Sequence, residues 1–371
     1  SDMMLKNKFS INAPFTAFKY VAINPNINIS SDFVNRFQEA SINEENEVEL
    51  NTIDRFKNRT ISNLALSIST KVYGILPFKV RNFQAIRHVM TPRIGFSYSP
   101  NYLKNDNYFQ EFNDEYYDYF SGTLIGSTPR TSSKKINLSL GNVFQAKRSI
   151  NNEEEKIDLF SLRMNTGYDV NKEEFKLSTL NSSLRSSLKN GTNIDMNFTH
   201  DFYEFNKEES IRINKLRSIP RLTGIRLSTN FTLKGKKNDI QNDNELSEET
   251  KNFLNDFSSN IWQSRIGVSY TLNKINPDNK IENFWLNSNT SVNVTNNWKL
   301  NYNARFNLID NNIVRHNLTL YREIDCWELF VDWTPNGYAR GLYFRLNLKS
   351  DMLQDLKVEQ KTGIYTTRPS F

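Results

Sequence analysis

The sequence predicts an all-β protein, specifically a transmembrane antiparallel up-and-down β-barrel. Two observations carry this prediction. Apolar and polar residues alternate along many segments, and no segment approaches the ~20 consecutive apolar residues that a spanning helix needs. The mean hydropathy of -0.63 is compatible with a barrel, because lipid-facing and lumen-facing residues alternate along every strand.

The alternation defines the individual strands. Clear runs are 64–69, 136–140, 160–165, 225–233, 266–272, 286–294, 298–308 and 342–349. The positions between the apolar residues are mostly Asn, Ser, Thr, Arg and Lys. Each run lasts roughly 9–12 residues, the length of a tilted strand that crosses a bilayer, whereas strands of soluble sandwiches are nearer 5–6 residues. We expect about 14–15 such strands, joined as successive hairpins.

The polar connections between strands fall into two length classes. Long loops are predicted at Ser31–Thr60, Asn101–Ser133, Phe205–Pro220 and Lys234–Asn260. Tight turns are predicted at Asn171–Glu174, Lys189–Thr192, Thr295–Asn297 and Asp310–Asn312. Long loops on one side and short turns on the other are typical of outer-membrane barrels. Within the last long loop, Glu245–Phe257 is predicted to form a short surface helix.

Composition narrows the function classes. The chain has 26 Phe, 16 Tyr and 5 Trp, which favours strands and the aromatic girdles of barrels over disorder. The net charge is +6, but Lys and Arg are scattered among Asp and Glu, so we expect no nucleic-acid partner. The single cysteine, Cys326, excludes an internal disulfide framework.

The sequence offers no catalytic constellation. There are three histidines, and none has a metal-ligand neighbour at a suitable spacing. The pair His200 and Asp201 could act as an acid and a base, but it is more simply explained as two polar residues at the end of a strand. Glycine-rich phosphate loops, GxSxG and HExxH are all missing. We therefore predict no enzyme activity, no catalytic, cofactor-binding or metal residues, and no cofactor.

Two segments show a more specific resemblance. The first comprises Ser69–Gly74 and Ala85–Pro100, and the second comprises Leu320–Glu328, Trp333–Gly337 and Tyr343–Ser350. Both resemble the LptD (organic solvent tolerance) family of lipopolysaccharide-assembly outer-membrane proteins, in its Bacteroidota-type branch. The stretches 137–147 and 222–233 are compatible with barrel strands of that branch, so the resemblance covers nearly the whole chain.

The resemblance implies a function and a set of partners. The family inserts lipopolysaccharide into the outer leaflet by passive guidance through a polar lumen and a lateral gap between the first and last strands. A lipoprotein plugs the lumen, and an N-terminal periplasmic jellyroll connects to a bridge protein from the inner membrane. The chain resembles the C-terminal portion, part of a larger barrel, without the jellyroll and the first strands. We accordingly treat 1–371 as one barrel domain, whose terminal Phe371 would suit recognition by the barrel-insertion machinery.

The first motif segment contains three candidate residues. Arg87 and His88 lie shortly before Pro92. Proline cannot donate to a strand ladder, so Pro92 suggests a break or bulge that would loosen the barrel wall. The alternative is that Pro92 marks a simple turn exit.

The second motif segment contains a charged cluster. Arg322, Glu323, Asp325 and Glu328 lie close together in the sequence. Buried charges are costly unless they are paired, which suggests an Arg–carboxylate cluster on the lumen side that holds strands together or contacts the plug. The alternative is a set of salt bridges at the rim.

Four more residues complete the second motif segment. Trp327 and Trp333 are candidates for an aromatic belt at the membrane interface. Pro335 follows the second tryptophan and ends the run. Cys326 has the acidic neighbours Asp325 and Glu328, which do not lower a thiol pKa, so we expect an inert cysteine.

Other protein classes stay open. A porin or a fragment of a nutrient-uptake receptor would share the barrel pattern, although a receptor needs a plug domain that the sequence does not show. A barrel enzyme would need His200 or His316 to find a catalytic partner. A soluble β-sandwich binding module is opposed by the length of the strands.

Overall fold

A computed structural model gives the structure of the chain and describes residues 2–43, 47–80, 83–112, 114–150, 153–188, 191–235, 261–295, 297–337, 339–349 and 356–366. The chain divides into two compact units. Unit 1 comprises Ser1–Ser182 with Thr199–Arg221, and unit 2 comprises Ser183–Phe198 with Leu222–Phe371.

Nearly all regular structure is β. The strands are β1 (Met4–Asn12), β2 (Phe15–Ala17), β3 (Val21–Ile42), β4 (Val48–Thr70), β5 (Val72–Val80), β6 (Phe83–Ser99), β7 (Phe109–Phe112), β8 (Glu115–Asp118), β9 (Ser133–Ile150), β10 (Glu153–Asp169), β11 (Leu180–Ser187), β12 (Asn193–Asn206), β13 (Ile211–Lys234), β14 (Trp262–Asn273), β15 (Ile281–Thr295), β16 (Trp298–Asn307), β17 (Asn312–Ile324), β18 (Trp327–Thr334), β19 (Gly341–Leu348) and β20 (Lys357–Lys361). A 3-10 turn covers Gly363–Thr366. Within the described ranges, no helix is long and apolar enough to cross a membrane.

Unit 1 is built on one long hairpin. β3 and β4 pair antiparallel from Val21 opposite Thr70 to Ile42 opposite Val48. β1 and β2 pair with the other edge of β3, and β4 and β5 both pair with β6. The sheet then continues through β6, β9 and β10, each antiparallel to the next. β7 and β8 form a separate small hairpin inside the 100–132 connection.

Unit 2 is a succession of antiparallel neighbours. The second part of β13 pairs with β14, and every strand from β14 to β20 pairs with the one that follows it in the chain. Pairing each strand with its successor is the up-and-down order expected of an outer-membrane barrel.

Each unit has strands with an apolar face and a polar face. In unit 1 the apolar face includes Leu66 of β4, Phe96 of β6 and Leu138 of β9, and these large side chains are exposed. In unit 2 one cross-strand row on the apolar face consists of Val292, Leu300, Leu320, Val331 and Phe344. The adjacent row on the polar face consists of Ser291, Asn301, Thr319, Asp332 and Tyr343. Exposed apolar side chains on a strand face are what a bilayer would cover.

The predicted fold class, an all-β antiparallel up-and-down protein with strands of barrel type, is confirmed. Twenty strands are described, of which β2, β7, β8 and β20 have three to five residues; the remaining sixteen compare with the expected 14–15 long strands. The break between β4 and β5 and the small β7–β8 hairpin add strands that the alternation does not reveal.

Two predicted loops are wrong. Ser31–Thr60 belongs to the β3–β4 hairpin, and Phe205–Pro220 consists of β12, a short turn and β13. As a result β3, β4 and β13 have 22, 23 and 24 residues, far longer than one bilayer crossing requires. These segments have polar side chains on both faces, which is a pattern typical of loops. The backbone hydrogen bonds of a strand ladder form whatever the polarity of the side chains.

Two other predicted connections are found in the structure, and another lies largely outside the described residues. Asn101–Ser133 is a connection between β6 and β9, as predicted, interrupted only by β7 and β8 in its described part. Asp310–Asn312 lies at the turn from β16 to β17. The predicted helix Glu245–Phe257 and most of Lys234–Asn260 lie outside the described residues, as does Phe371.

Candidate functional site

The first motif segment places Pro92 inside a strand. Pro92 lies in the middle of β6 and faces Leu140 of β9, so it does not mark a turn exit. On the other side of β6, Arg93 pairs with Ser69 of β4 and Met90 pairs with Val72 of β5. The break between β4 and β5 therefore lies beside the proline, which has no N–H with which to continue the ladder.

Arg87 lies on the polar face of the same sheet. Its Nε donates to Gln145 Oε1 at 2.8 Å, and Gln145 Nε2 donates to Asp158 Oδ1 at 2.6 Å. This hydrogen-bonded row crosses β6, β9 and β10. It links three strands through polar side chains alone, five residues along β6 from Pro92.

His88 lies on the apolar face, opposite to Arg87. Its ring stacks on Phe144 with centroids 4.3 Å apart, and Phe144 stacks on Phe160 at 4.5 Å. His88 Nε2 also lies 2.9 Å from Asn142 Oδ1. The stacked rings form an amphipathic row of the kind found where strands meet a membrane interface.

The second motif segment distributes its charges differently from the predicted cluster. Arg322 and Glu323 are adjacent in β17 and therefore lie on opposite faces. The Arg322 guanidinium lies over the Trp298 ring on the apolar face, 4.5 Å from its centroid. Glu323 forms an ion pair with Lys349 on the polar face. The expected pairing of Arg322 with these carboxylates is wrong, because strand alternation separates them.

Glu328 is the buried carboxylate of this segment. It is fully buried on the polar face and accepts a hydrogen bond from Asn347 Nδ2 at 2.8 Å. Tyr321 Oη donates to its other oxygen at 3.4 Å, and Arg345 Nη2 lies 3.8 Å away. The cation that compensates Glu328 is therefore Arg345 from β19, which sequence spacing did not suggest.

The remaining motif residues lie near the ends of strands. Asp325 has a φ of 44° in the two-residue turn between β17 and β18, beside the exposed free thiol of Cys326. Trp327 and Trp333, at the two ends of β18, are exposed on the apolar face. Pro335 follows β18 directly. Exposed tryptophans on the apolar face suit an aromatic belt at a membrane interface.

Sequence reasoning missed a folded loop in unit 1. The 100–132 connection packs on the polar face of the β3–β4 hairpin through a small core of Val34, Phe37, Phe120 and Ile125. Gln110 binds both backbone groups of Ala40, accepting from its N–H at 2.8 Å and donating to its carbonyl at 2.9 Å. The connection is thus a structured element on the polar face of the hairpin.

A buried ion pair anchors this loop. Arg59 Nη2 donates to Asp32 Oδ2 at 3.1 Å across β3 and β4. Arg59 also donates to the carbonyls of Gly126, at 2.8 Å, and Ile125, at 3.2 Å, and to Thr128 Oγ1 at 3.1 Å. These bonds satisfy most of the guanidinium donors, as a buried arginine requires.

Tyrosines of the loop cap the edge of β4. Tyr108 Oη accepts from Thr60 N at 2.9 Å and donates to Thr60 O at 2.8 Å. Tyr102 Oη accepts from Ser62 N at 2.7 Å. In an antiparallel ladder, the N–H and C=O of one residue point to the same side. Where β4 extends beyond the end of β6, these hydroxyls therefore take the place of a neighbouring strand.

Tyr119 completes the contact with the hairpin. Its carbonyl accepts from Gln38 N at 2.8 Å, and the Lys57 ammonium lies 3.3 Å from the centroid of its ring. Burial raises the pKa of the Tyr119 phenol above its ordinary value, and the charges of Glu39 and Asp106 raise it further. The ring therefore stays neutral and presents its face to the lysine across the neutral pH range.

A second arginine anchors the 170–179 connection. Arg212 Nη2 donates to Asp201 Oδ1 at 2.6 Å. The guanidinium lies 4.7 Å from the ring centroid of Phe175 and 4.6 Å from that of Tyr203. Tyr203 Oη accepts from Leu177 N at 3.0 Å, which holds the loop backbone down. Unit 1 thus has two loops, each bound through an Arg–Asp pair beside aromatic rings.

The described residues contain no group of three or more His, Cys, Asp or Glu side chains that could hold a metal ion. His200 and His316 lie on strands, and His316 Nδ1 is 3.3 Å from Tyr302 Oη.

Antiparallel strands in up-and-down order, an exposed apolar face, a polar face and loops that fold onto the polar face are the features of the outer-membrane β-barrel class. A family model described as LptD protein matches residues 1–203, more than half of the 371 residues. The chain belongs to the LptD family, which is a family of lipopolysaccharide-transport proteins and not of enzymes. The resemblance inferred from the two motif segments is confirmed at the level of the family.

Similarity to solved structures is weak. The chain is 9% identical to a structure of P. aeruginosa FpvA bound to a heterologous pyoverdine with iron, with a TM-score of 0.26, covering 96% of this chain and 48% of that chain. It is 10% identical to a structure of the FpvAI–pyocin S2 complex, with a TM-score of 0.24, covering 88% of this chain and 50% of that chain. The chain thus spans about half the length of both solved chains. No curated protein matches it.

Proposed function

We propose that this chain contributes the wall of an outer-membrane translocon that inserts lipopolysaccharide into the outer leaflet. The observation that carries the proposal is the match of the LptD family over residues 1–203. In this mechanism the polar face lines a hydrated lumen that accepts the sugar portion of the glycolipid. The acyl chains leave sideways through a lateral gap into the lipid.

The two faces of the strands support separate paths for the sugar portion and the acyl chains. Exposed apolar side chains such as Phe96 and Leu138 suit contact with acyl chains, whereas the opposite face carries amides and hydroxyls. Guidance of this kind needs no covalent chemistry in the chain. The energy for transport would come from the inner membrane, through a periplasmic bridge protein.

The break beside Pro92 suits a wall that opens. A proline flanked by an interrupted neighbouring strand removes ladder hydrogen bonds locally, which lowers the cost of separating strands there. The polar row from Arg87 to Asp158 would keep the adjoining strands together while the wall bends.

The proposed partners follow from the family. A lipoprotein plug would fill the lumen and contact the polar face that lines it. The barrel-insertion machinery would assemble the protein in the outer membrane of a Gram-negative bacterium. These partners are proposals that rest on family membership.

Depletion of the protein in its native bacterium tests the function. We expect newly made lipopolysaccharide to disappear from the cell surface and to accumulate at the inner membrane, measured by surface labelling and membrane fractionation. Other outer-membrane proteins should still reach the membrane in the same cells. Normal surface lipopolysaccharide after complete depletion would refute the proposal.

The alternative, a porin or a nutrient-uptake receptor fragment, predicts different outcomes from the same cells. A porin would conduct ions as a purified protein in planar bilayers, and its loss would slow the entry of small solutes. A receptor would be needed only on one nutrient source. Neither loss would shift lipopolysaccharide to the inner membrane.

A further inference from the structure

The polar face of β13–β17 in unit 2 is basic. Its cationic positions on the described strands are Arg226, Lys234, Arg265, Lys299, Arg305 and Arg315. Between Gly224 and Tyr321 these strand segments contain one carboxylate, Glu282, which lies on the apolar face and accepts from Tyr270 Oη. This stretch of the face has six cations and no carboxylate, and therefore a strong net attraction for anions; Glu323, further along β17, is already paired with Lys349.

Two of these cations oppose each other directly. Arg305 of β16 pairs in register with Arg315 of β17, and both side chains are exposed. Within the described residues, neither guanidinium has an ion-pair partner. Like charges directly opposite each other on adjacent strands destabilise a sheet, so this arrangement is costly without an anionic occupant.

The surroundings of the arginine pair suit a saccharide. The Arg305 guanidinium lies 4.4 Å from the ring centroid of Trp285 on the same face, so the indole is held beside the charges. The cross-strand row through the pair also contains Asn230, Gly267 and Asn287. Amides can donate to and accept from sugar hydroxyls, and an indole ring offers apolar area for the C–H groups of a pyranose.

We propose that the polar face of β13–β17, centred on Arg305, Arg315 and Trp285, is a binding site for the acidic groups of a saccharide. Guanidinium groups match phosphate and carboxylate oxygens in bidentate geometry, so both anions share this chemistry. The inference deepens the proposed lipopolysaccharide transport and rests on it. The site would orient the charged sugar portion during its passage.

Binding measurements on the full chain in detergent test the site. The probes are a phosphorylated glucosamine disaccharide, a uronic-acid disaccharide and the neutral, unphosphorylated disaccharide. We expect titration calorimetry to show tighter binding of the acidic probes, weakened by added salt. The double variant R305Q/R315Q should lose at least about tenfold in affinity for an acidic probe, since each charged hydrogen bond contributes substantially. Relative affinity for the two acidic probes then distinguishes phosphate from carboxylate as the preferred ligand.

A matched control lies on the other face. Arg322 is also an arginine of β17 and also stacks on a tryptophan, but it lies on the apolar face. R322Q should leave probe affinity unchanged. An equal loss of affinity in R322Q, or unchanged affinity in R305Q/R315Q, would overturn the proposal.

Thermal stability separates binding from a structural role. Because the arginines repel each other, R315Q should raise the unfolding temperature of the ligand-free protein while it weakens probe binding. A fall in the unfolding temperature would assign the arginines to folding instead. If R305Q/R315Q releases a copurifying acidic protein but binds the saccharides normally, the face holds a protein partner and the saccharide site is refuted.

The outcome is distinguishable from failure of the proposed function. Depletion that moves lipopolysaccharide to the inner membrane, combined with no binding of acidic probes, would retain the transport function and remove only this site. Normal surface lipopolysaccharide combined with probe binding would leave an anionic saccharide site in a protein of another function.

Discussion

Arg59 and Asp32 form a buried ion pair across β3 and β4, with 2% and 0% of their side chains exposed. The pair lies beneath the 100–132 connection, to which Arg59 donates three further hydrogen bonds. Desolvation of two charges is compensated only when such additional bonds satisfy them. The folded loop therefore supplies the hydrogen bonds that a buried Arg59–Asp32 pair needs. In turn, the pair holds the loop against the hairpin.

Replacing Arg59 with methionine should detach the 100–132 connection. The substitution leaves Asp32 buried without its cation, and breaking a buried pair in this way costs roughly 3–5 kcal/mol. We expect loop amides such as Thr128 to exchange hydrogen far faster, measured by mass spectrometry in detergent.

The exposed pair of Arg36 with Asp54 provides the control for this change. Because 40% of the Arg36 side chain is exposed, R36M should alter exchange in the loop little, in line with the ~0–1 kcal/mol of surface pairs. Equal effects of R59M and R36M would show that burial does not govern the anchoring.

Replacing Tyr108 with phenylalanine should open the edge of β4 at Thr60. The hydroxyl makes both hydrogen bonds that a neighbouring strand would make to Thr60, and their loss costs about 1 kcal/mol. We expect the Thr60 amide to exchange about fivefold faster, as that free energy implies. Y73F, at an exposed position of β5, should leave that amide unchanged.

Much of the sheet could be predicted because its signal is local. The alternation in 298–308 and 342–349 gives both strands and their faces from side-chain type alone. The β3–β4 extension escaped prediction because Asp32 and Arg59 are polar and contact a loop distant in sequence. When a loop buries the polar side chains of a strand, the amino-acid composition of that strand resembles the composition of a loop, so the strand is not predicted.

The candidate site shows the same limit. That Arg322 and Glu323 lie on opposite faces follows from strand alternation, and the sequence would have revealed it. The pairing of Glu328 with Arg345 needed the register of β18 against β19, which the sequence does not specify. The opposition of Arg305 and Arg315 follows from the turn at Asp310, although a bulge shifts the register beside it.

A double-mutant cycle should find coupling between Glu323 and Lys349. They form an ion pair on the polar face, so E323Q and K349M together should cost less than the sum of the single changes by at least about 0.5 kcal/mol. Unfolding in denaturant with folding-dependent gel mobility measures these free energies. The cycle of R322Q with E323Q should be additive, and coupling there would contradict the assignment of Arg322 to the apolar face.

Replacing Arg212 with methionine should release the 170–179 connection while leaving the strands intact. Arg212 joins Asp201 of β12 to the ring of Phe175 in the loop, so its loss removes an ion pair and a cation–π contact together. Only the loop should become sensitive to protease, since backbone ladders hold β12 and β13. R185M provides the control, because Arg185 and Asp195 form a pair with 75% and 47% of their side chains exposed. Cleavage after R212M confined to 170–179 would establish that each loop on the polar face is held by its own arginine. Cleavage that spreads to 100–132 would show instead that the two loops are stabilised together.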